Sequence, residues 1–111
     1  MKTSDLTQMS CKGCTGDMPA LKQPEIDSLL QQLDDWQQYD RLIRKTYRFK
    51  DYYQTMAFVN AVAWLSHRED HHPELSVSYK ECQVEYTTHI IHGLSENDFI
   101  CAAKVEALFK S

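Results

Sequence analysis

The apolar residues of this chain change spacing in a fixed order: helical, alternating, helical, alternating, helical. Few architectures satisfy that order. Pro24 suits a first helical position, and Ile26, Leu29, Leu30 and Leu33 follow as a single stripe, predicting a helix that ends near Asp34-Asp35. Between Trp36 and Phe49 the pattern alternates, with Ile43, Lys45, Tyr47 and Phe49 as the more apolar face and a turn near Tyr39-Asp40-Arg41. Asp51 is placed to cap a second helix, in which Tyr52, Met56, Val59 and Ala63 form one row beside Phe58, Val62 and Leu65. That helix must stop by His72, because the residue before Pro73 is pushed out of the α region.

Alternation returns in Leu75, Val77 and Tyr79, then in a strand from Gln83 to Ile90 joined to the first through Lys80-Glu81-Cys82. In this last strand Val84, Tyr86 and Thr88 share one face, and Gln83, Glu85, Thr87 and His89 the other. A face that polar is left open to solvent or ligand. Gly93 breaks the strand. Ser95-Glu96-Asn97-Asp98 has the form of a capping box, opening a helix with Ile100, Ala103 and Ala107 in one row and Cys101, Val105 and Leu108 in the next. The expected fold is α+β, order α-β-β-α-β-β-α, with three helices on one face of a four-stranded antiparallel sheet.

One domain accounts for all 111 residues. Residues 1–20, small and polar with Gly13, Gly16 and Pro19, read as a flexible lead-in. A formal charge of −4 without a basic run argues against nucleic acid as a partner. No stretch has the length of a membrane span, and Met1 to Ser10 lacks the apolar core of a secretory signal, so a cytoplasmic location with reduced cysteines is expected. The Cys11/Cys14 pair supplies half of a structural zinc site and lacks the strand that precedes a thioredoxin-type motif.

Chemistry gathers in His67-Arg68-Glu69-Asp70-His71-His72-Pro73, which holds three of the five histidines. His67 and His71 are four apart and share a face if the helix persists. His89 lies on the open face of the last strand, where a hairpin can bring it beside this loop. Histidines converging on an open polar face fit two chemistries. One is a metal site, with Glu69 and Asp70 assisting, although no HExxH spacing occurs. The other is metal-free general acid–base catalysis by imidazoles near neutral pKa, which the residues favour.

These residues resemble the signature of the pterin-4a-carbinolamine dehydratase family. The pattern is His67, three residues, His71-His72-Pro73, five residues, Tyr79, nine residues, His89, eight residues, Asp98, and the hydrophobic pattern is similar from the first helix onward. The resemblance implies a 4a-hydroxytetrahydrobiopterin dehydratase that removes water from 4a-hydroxytetrahydropterin to give quinonoid dihydropterin, recycling the pterin of aromatic amino acid hydroxylases. It implies His71 and His89 as the acid–base pair and His72 as a catalytic and pterin-orienting residue. Pro73 and His67 would join His72 among the substrate-binding residues, Pro73 also aiming the two histidines, and Asp98 would orient an imidazole or contact substrate. His67 stands where the family often has Glu, as a third titrating group or a bystander. Pterin would be the substrate, with no further cofactor and no metal. The assembly implied is a homodimer or homotetramer. Family members in animals also serve as dimerisation cofactors of a homeodomain transcription factor, whereas the Cys-x-x-Cys lead-in is similar to bacterial members. Tyr79 reads as strand packing, Trp36 and Trp64 as core or site-edge aromatics, and His92 as surface.

Overall fold

A computed structural model describes residues 6–13 and 15–110. Its elements are α1 (Gln23–Leu30), β1 (Gln37–Tyr39), β2 (Leu42–Arg48), α2 (Tyr52–Glu69), β3 (Glu74–Val77), β4 (Glu81–Tyr86), a 3₁₀ turn (His89–Ile91) and α3 (Glu96–Lys110). All strand pairs are antiparallel, in the spatial order β1-β2-β4-β3. The expected class and element order are those observed.

The boundaries differ where local turns intervene. At its start α1 is held by the Glu25 carboxylate, which accepts from the Lys22 N–H. It ends at Leu30 rather than Asp34. Gln32 and Leu33 instead donate to Leu29 and Leu30, tightening the chain into three-residue turns that carry Leu33 into the core. The β1–β2 turn sits at Asp40-Arg41, with Asp40 left-handed at φ 53°, a conformation that aspartate tolerates better than most residues. Ser78 donates to Glu81, so β4 begins at Glu81 and ends at Tyr86, several residues earlier than its alternation predicts.

Cross-strand register sorts the two sheet faces. Ile43 opposite Tyr86 and Tyr47 opposite Cys82 are buried under the helices. Arg44, Glu85 and Glu74 form a polar row on the other face, where Arg44 pairs with Glu85. Trp36 is a core residue, in ring contact with Tyr47 and Tyr86. In α2 the buried side chains are Thr55, Phe58, Val62 and Leu65, while Tyr52 and Ala63 of the expected apolar row face solvent. Thr55 is satisfied by donating to the carbonyls of Asp51 and Tyr79.

Lys45 sits on the core-facing side of β2, an awkward position for a cation. Its ammonium donates to the buried Glu106 of α3 (2.8 Å) and to the Asp34 carbonyl (2.7 Å). The Tyr47 hydroxyl donates to the same Glu106 oxygen at 2.6 Å, and burial followed by this carboxylate raises its pKa far above the ordinary phenol value. Two residues that look misplaced in their own elements satisfy each other.

Residues 6–13 are not a loose lead-in. Asn97, Cys101 and Lys104 form one stripe of α3, and the segment runs antiparallel along it. The Lys12 N–H donates to the Asn97 side chain and the Lys12 carbonyl accepts from it; Cys11 meets Cys101; Lys104 donates to the Thr7 carbonyl. Glu69, at the end of α2, accepts from the Cys11 N–H at 3.0 Å. Burial raises the Glu69 pKa, but the Cys11 N–H, Lys104 and Arg68 outweigh it and hold the carboxyl below its ordinary value. Leu6 is fully buried at the far end.

Replacing Glu106 by Ala leaves Lys45 and the Tyr47 hydroxyl short of a partner in the interior. A loss of about 3 kcal/mol in unfolding free energy is expected by urea denaturation, with part of it recovered in Lys45→Met/Glu106→Leu.

Candidate functional site

The placement of His71 begins with the way α2 stops. Asp70 adopts the left-handed conformation (φ 52°, ψ 40°), its N–H donates to the His67 carbonyl, and the His71 N–H donates to that of Ser66. This is a Schellman end with Asp in the place usually taken by Gly. It ends the helix before Pro73 could, and it makes the His71 backbone part of the cap. His71 therefore leaves the helix face that carries His67.

The His71 ring is fixed on two sides. It stacks on Tyr86 with ring centroids 5.7 Å apart and planes 9° from parallel. Its Nε2 lies 2.7 Å from Asp98 Oδ1. Asp98 is 0% exposed, and its other oxygen accepts from the Thr88 hydroxyl (2.8 Å) and the Ser95 N–H (2.9 Å). Thr88 has one proton and gives it to Asp98, so Ser95 donates to Thr88 across their 2.7 Å contact. A carboxylate that only accepts favours the tautomer with its proton on Nε2, which leaves Nδ1 outside this pair.

Beside this ring lies a cleft of about 370 Å³, walled by His71, His72, His89, Thr87, Lys12 and Asn97, among others. His72 and His89 also border a smaller hollow of about 130 Å³ that continues toward Glu74 and Glu85 on the open sheet face. The three histidines are thus brought to one cleft. His89 reaches it from a position the sequence does not predict. The strand has already ended, and His89 opens the 3₁₀ turn, which closes with His92 left-handed and donating to the His89 carbonyl. Gly93 serves this turn by close approach: a Cβ there would stand 2.8 Å from that of Ala20.

Two expected site residues, His67 and Pro73, lie elsewhere, and Asp98 takes the orienting one of its two expected roles. His67 is exposed, beside Trp64, and does not line the cleft. Asp98 sits behind His71 and has no exposed surface with which to touch a substrate; it is both orienting partner and helix cap. Pro73 lies outside the cleft wall, and the left-handed Asp70 does the aiming assigned to it. Tyr79 is 63% exposed and stacks on Tyr52, so it is neither strand packing nor cleft wall. Trp64 is also exposed, away from the cleft.

Lys12, Gly13 and Asn97 were not foreseen as cleft residues, nor Thr88 and Ser95 as partners of Asp98. Thr88 was legible as a polar residue in the buried phase of its strand. Lys12 and Gly13 carried no such signal. Among the described residues no group of three or more His, Cys, Asp or Glu is arranged to hold a metal ion. None of the described helices is long and apolar enough to cross a membrane. Cys14, half of the expected cysteine pair, lies outside the described residues.

Both the sequence and the α+β fold around this cleft have known relatives. The sequence model described as Pterin 4 alpha carbinolamine dehydratase covers residues 19–108. A Nitrosospira multiformis protein, named provisionally as a pterin-4-alpha-carbinolamine dehydratase, is 64% identical over 106 residues, or 96% of this chain and 94% of its own. A Dechloromonas aromatica protein of the same provisional name is 50% identical over 111 residues, 99% of each chain. The crystal structure of a transcriptional coactivator/pterin dehydratase from Brucella melitensis superposes with a TM-score of 0.78 at 31% identity, over 80% of this chain and 97% of that one. A pterin dehydratase-like protein identified as a RuBisCO assembly factor in the alpha-carboxysome gives 0.59 at 26%, over 71% and 92%. The chain belongs to the pterin 4 alpha carbinolamine dehydratase family.

Thr88→Val keeps the side-chain shape but removes a donor to buried Asp98 and the acceptor for Ser95. A cost of about 1–3 kcal/mol in denaturant unfolding is expected, with the far-ultraviolet dichroism of the native state unchanged.

Proposed function

We propose that this protein dehydrates 4a-hydroxytetrahydropterin to quinonoid dihydropterin in the cytoplasm, recycling the pterin of an aromatic amino acid hydroxylase, with His71 and His89 as its acid–base pair. The observation that carries this reading is the 2.7 Å contact between His71 and the fully buried Asp98 at the wall of a cleft shared with His72 and His89. A carboxylate behind an imidazole fixes its tautomer and stabilises the cation formed when the ring accepts a proton. His71 is therefore suited to take the proton from the ring nitrogen next to the carbinolamine carbon, through Nδ1. His89, on the solvent side, donates to the departing hydroxyl. The carbon–oxygen bond breaks with its electron pair leaving on oxygen, which departs as water. The nitrogen lone pair becomes the new carbon–nitrogen double bond, so no redox partner is needed. His72 orients the pterin between them.

The test follows quinonoid dihydropterin formation from freshly generated 4a-hydroxytetrahydropterin. The protein is expected to accelerate it, and His71→Ala or His89→Ala to lose roughly 10²–10⁴ of that acceleration. A rate equal to the uncatalysed one, from folded protein, sinks the reading. Assembly through the exposed edges of β1 and β3 as a dimer or tetramer belongs to the same proposal, and a sizing measurement that returns the mass of a single protomer would contradict it.

A second reading, association with another protein, is favoured by the descriptions of the Brucella coactivator and the carboxysomal assembly factor. It gains ground only if the wild-type chain is folded and inactive toward the carbinolamine.

A further inference from the structure

The acid–base chemistry above makes no use of the cysteines, yet two of them are in contact. Cys11 Sγ lies 3.3 Å from Cys101 Sγ, although 90 positions separate them in the chain. A disulfide needs about 2.05 Å, so roughly 1.2 Å of approach, shared between two side chains, would close it. We propose that Cys11 and Cys101 form a reversible disulfide under peroxide, stapling the N-terminal segment to α3 and locking the Lys12–Gly13 wall of the cleft. The proposal goes beyond the dehydratase reading and does not depend on it.

Two features support the pairing. The two cysteines differ in access: Cys11 is half-buried, whereas Cys101 is fully buried. Cys11 is also held in register by bonds on both sides of its thiol, its own N–H to Glu69 and the next residue's amide to Asn97, so the sulfurs meet with little freedom left to lose.

The steps balance. The Cys11 sulfur attacks one peroxide oxygen, the O–O bond breaks, and Cys11 becomes a sulfenic acid as one water leaves. The Cys101 sulfur then attacks the Cys11 sulfur, the S–OH bond breaks, and the hydroxide leaves as a second water with the Cys101 proton. Two thiols are oxidised by two electrons and one peroxide is reduced. A dithiol reverses the change.

Lys12 and Gly13 follow Cys11 directly and line the cleft. Asp98, which holds His71, lies one helical turn before Cys101 on α3. A bond between the sulfurs would therefore tie a cleft wall to the helix turn behind the imidazole.

The experiment treats the intact chain with hydrogen peroxide and reads its mass, a non-reducing peptide map and amide exchange. Expected are a loss of 2 Da, a Cys11–Cys101 linked peptide, exchange at Lys12 slowed tenfold or more, and a thermal midpoint higher by about 20 °C, as befits a loop of this length. Dithiothreitol should reverse all four. Cys14→Ser should keep the link, and Cys11→Ser or Cys101→Ser should abolish it. A Cys11–Cys14 link, a gain of oxygen without a link, or no mass change would each overturn the proposal. Because Cys101→Ser replaces a buried residue, the wild-type peptide map decides the matter even if that variant fails to fold.

Discussion

A single buried carboxylate, that of Asp98, ties together the parts of the chain that make the cleft. One oxygen meets the ring of His71 just beyond α2; the other accepts from Thr88 after β4 and from the amide that opens α3. A carboxylate without exposed surface is costly unless every lone pair it presents is used. Here the partners come from three different segments, the nearest three residues from Asp98 and the farthest 27. Satisfying the charge therefore requires the end of α2, the exit of β4 and the start of α3 to be close at once. The electrostatic demand of one residue and the geometry of the cleft are the same condition.

The chain contains a second buried carboxylate, and the contrast is instructive. Glu106 accepts from Lys45 and Tyr47 beneath the packing of α3 on the sheet, and its other oxygen pairs with Lys110 at 3.5 Å. Asp98 has a similar supply of donors, but one of them, His71, has its far edge in a cleft. The first arrangement holds layers together. The second holds a titratable ring in one orientation while leaving a nitrogen for other chemistry. Burial of charge serves cohesion in one case and positioning in the other, and what separates them is whether a partner lines the cleft.

Much of this was legible in the residues. Periodicity gave the three helices and four strands in order, Asp51 caps α2 as its position suggests, and Ser95 and Asp98 open α3 together. The failures share a cause. Periodicity reports which way side chains face and says little about where a strand's hydrogen bonds end, so His89 was placed on β4 when the chain had already turned. It is equally silent about a left-handed Asp, whose conformation ended α2 and separated His71 from His67. The N-terminal segment was missed because it has no periodicity of its own. Its evidence lay in α3, where Asn97, Cys101 and Lys104 form a third stripe that neither the sheet nor α2 requires. Polar and small residues in a stripe look solvated until the strand of chain that covers them is seen.

That covering segment separates two kinds of change available to the protein. The histidines and their carboxylate are bound into the α2 end, the β4 exit and the α3 start, where a substitution disturbs the fold. Lys12 and Gly13 lie before residue 19, where the family match begins, and they meet the cleft from a segment that contributes no strand to the sheet. A terminus laid along a helix can be exchanged like a lining. It can alter the shape and charge offered to a ligand while the histidines and the carboxylate behind it stay where the core has put them.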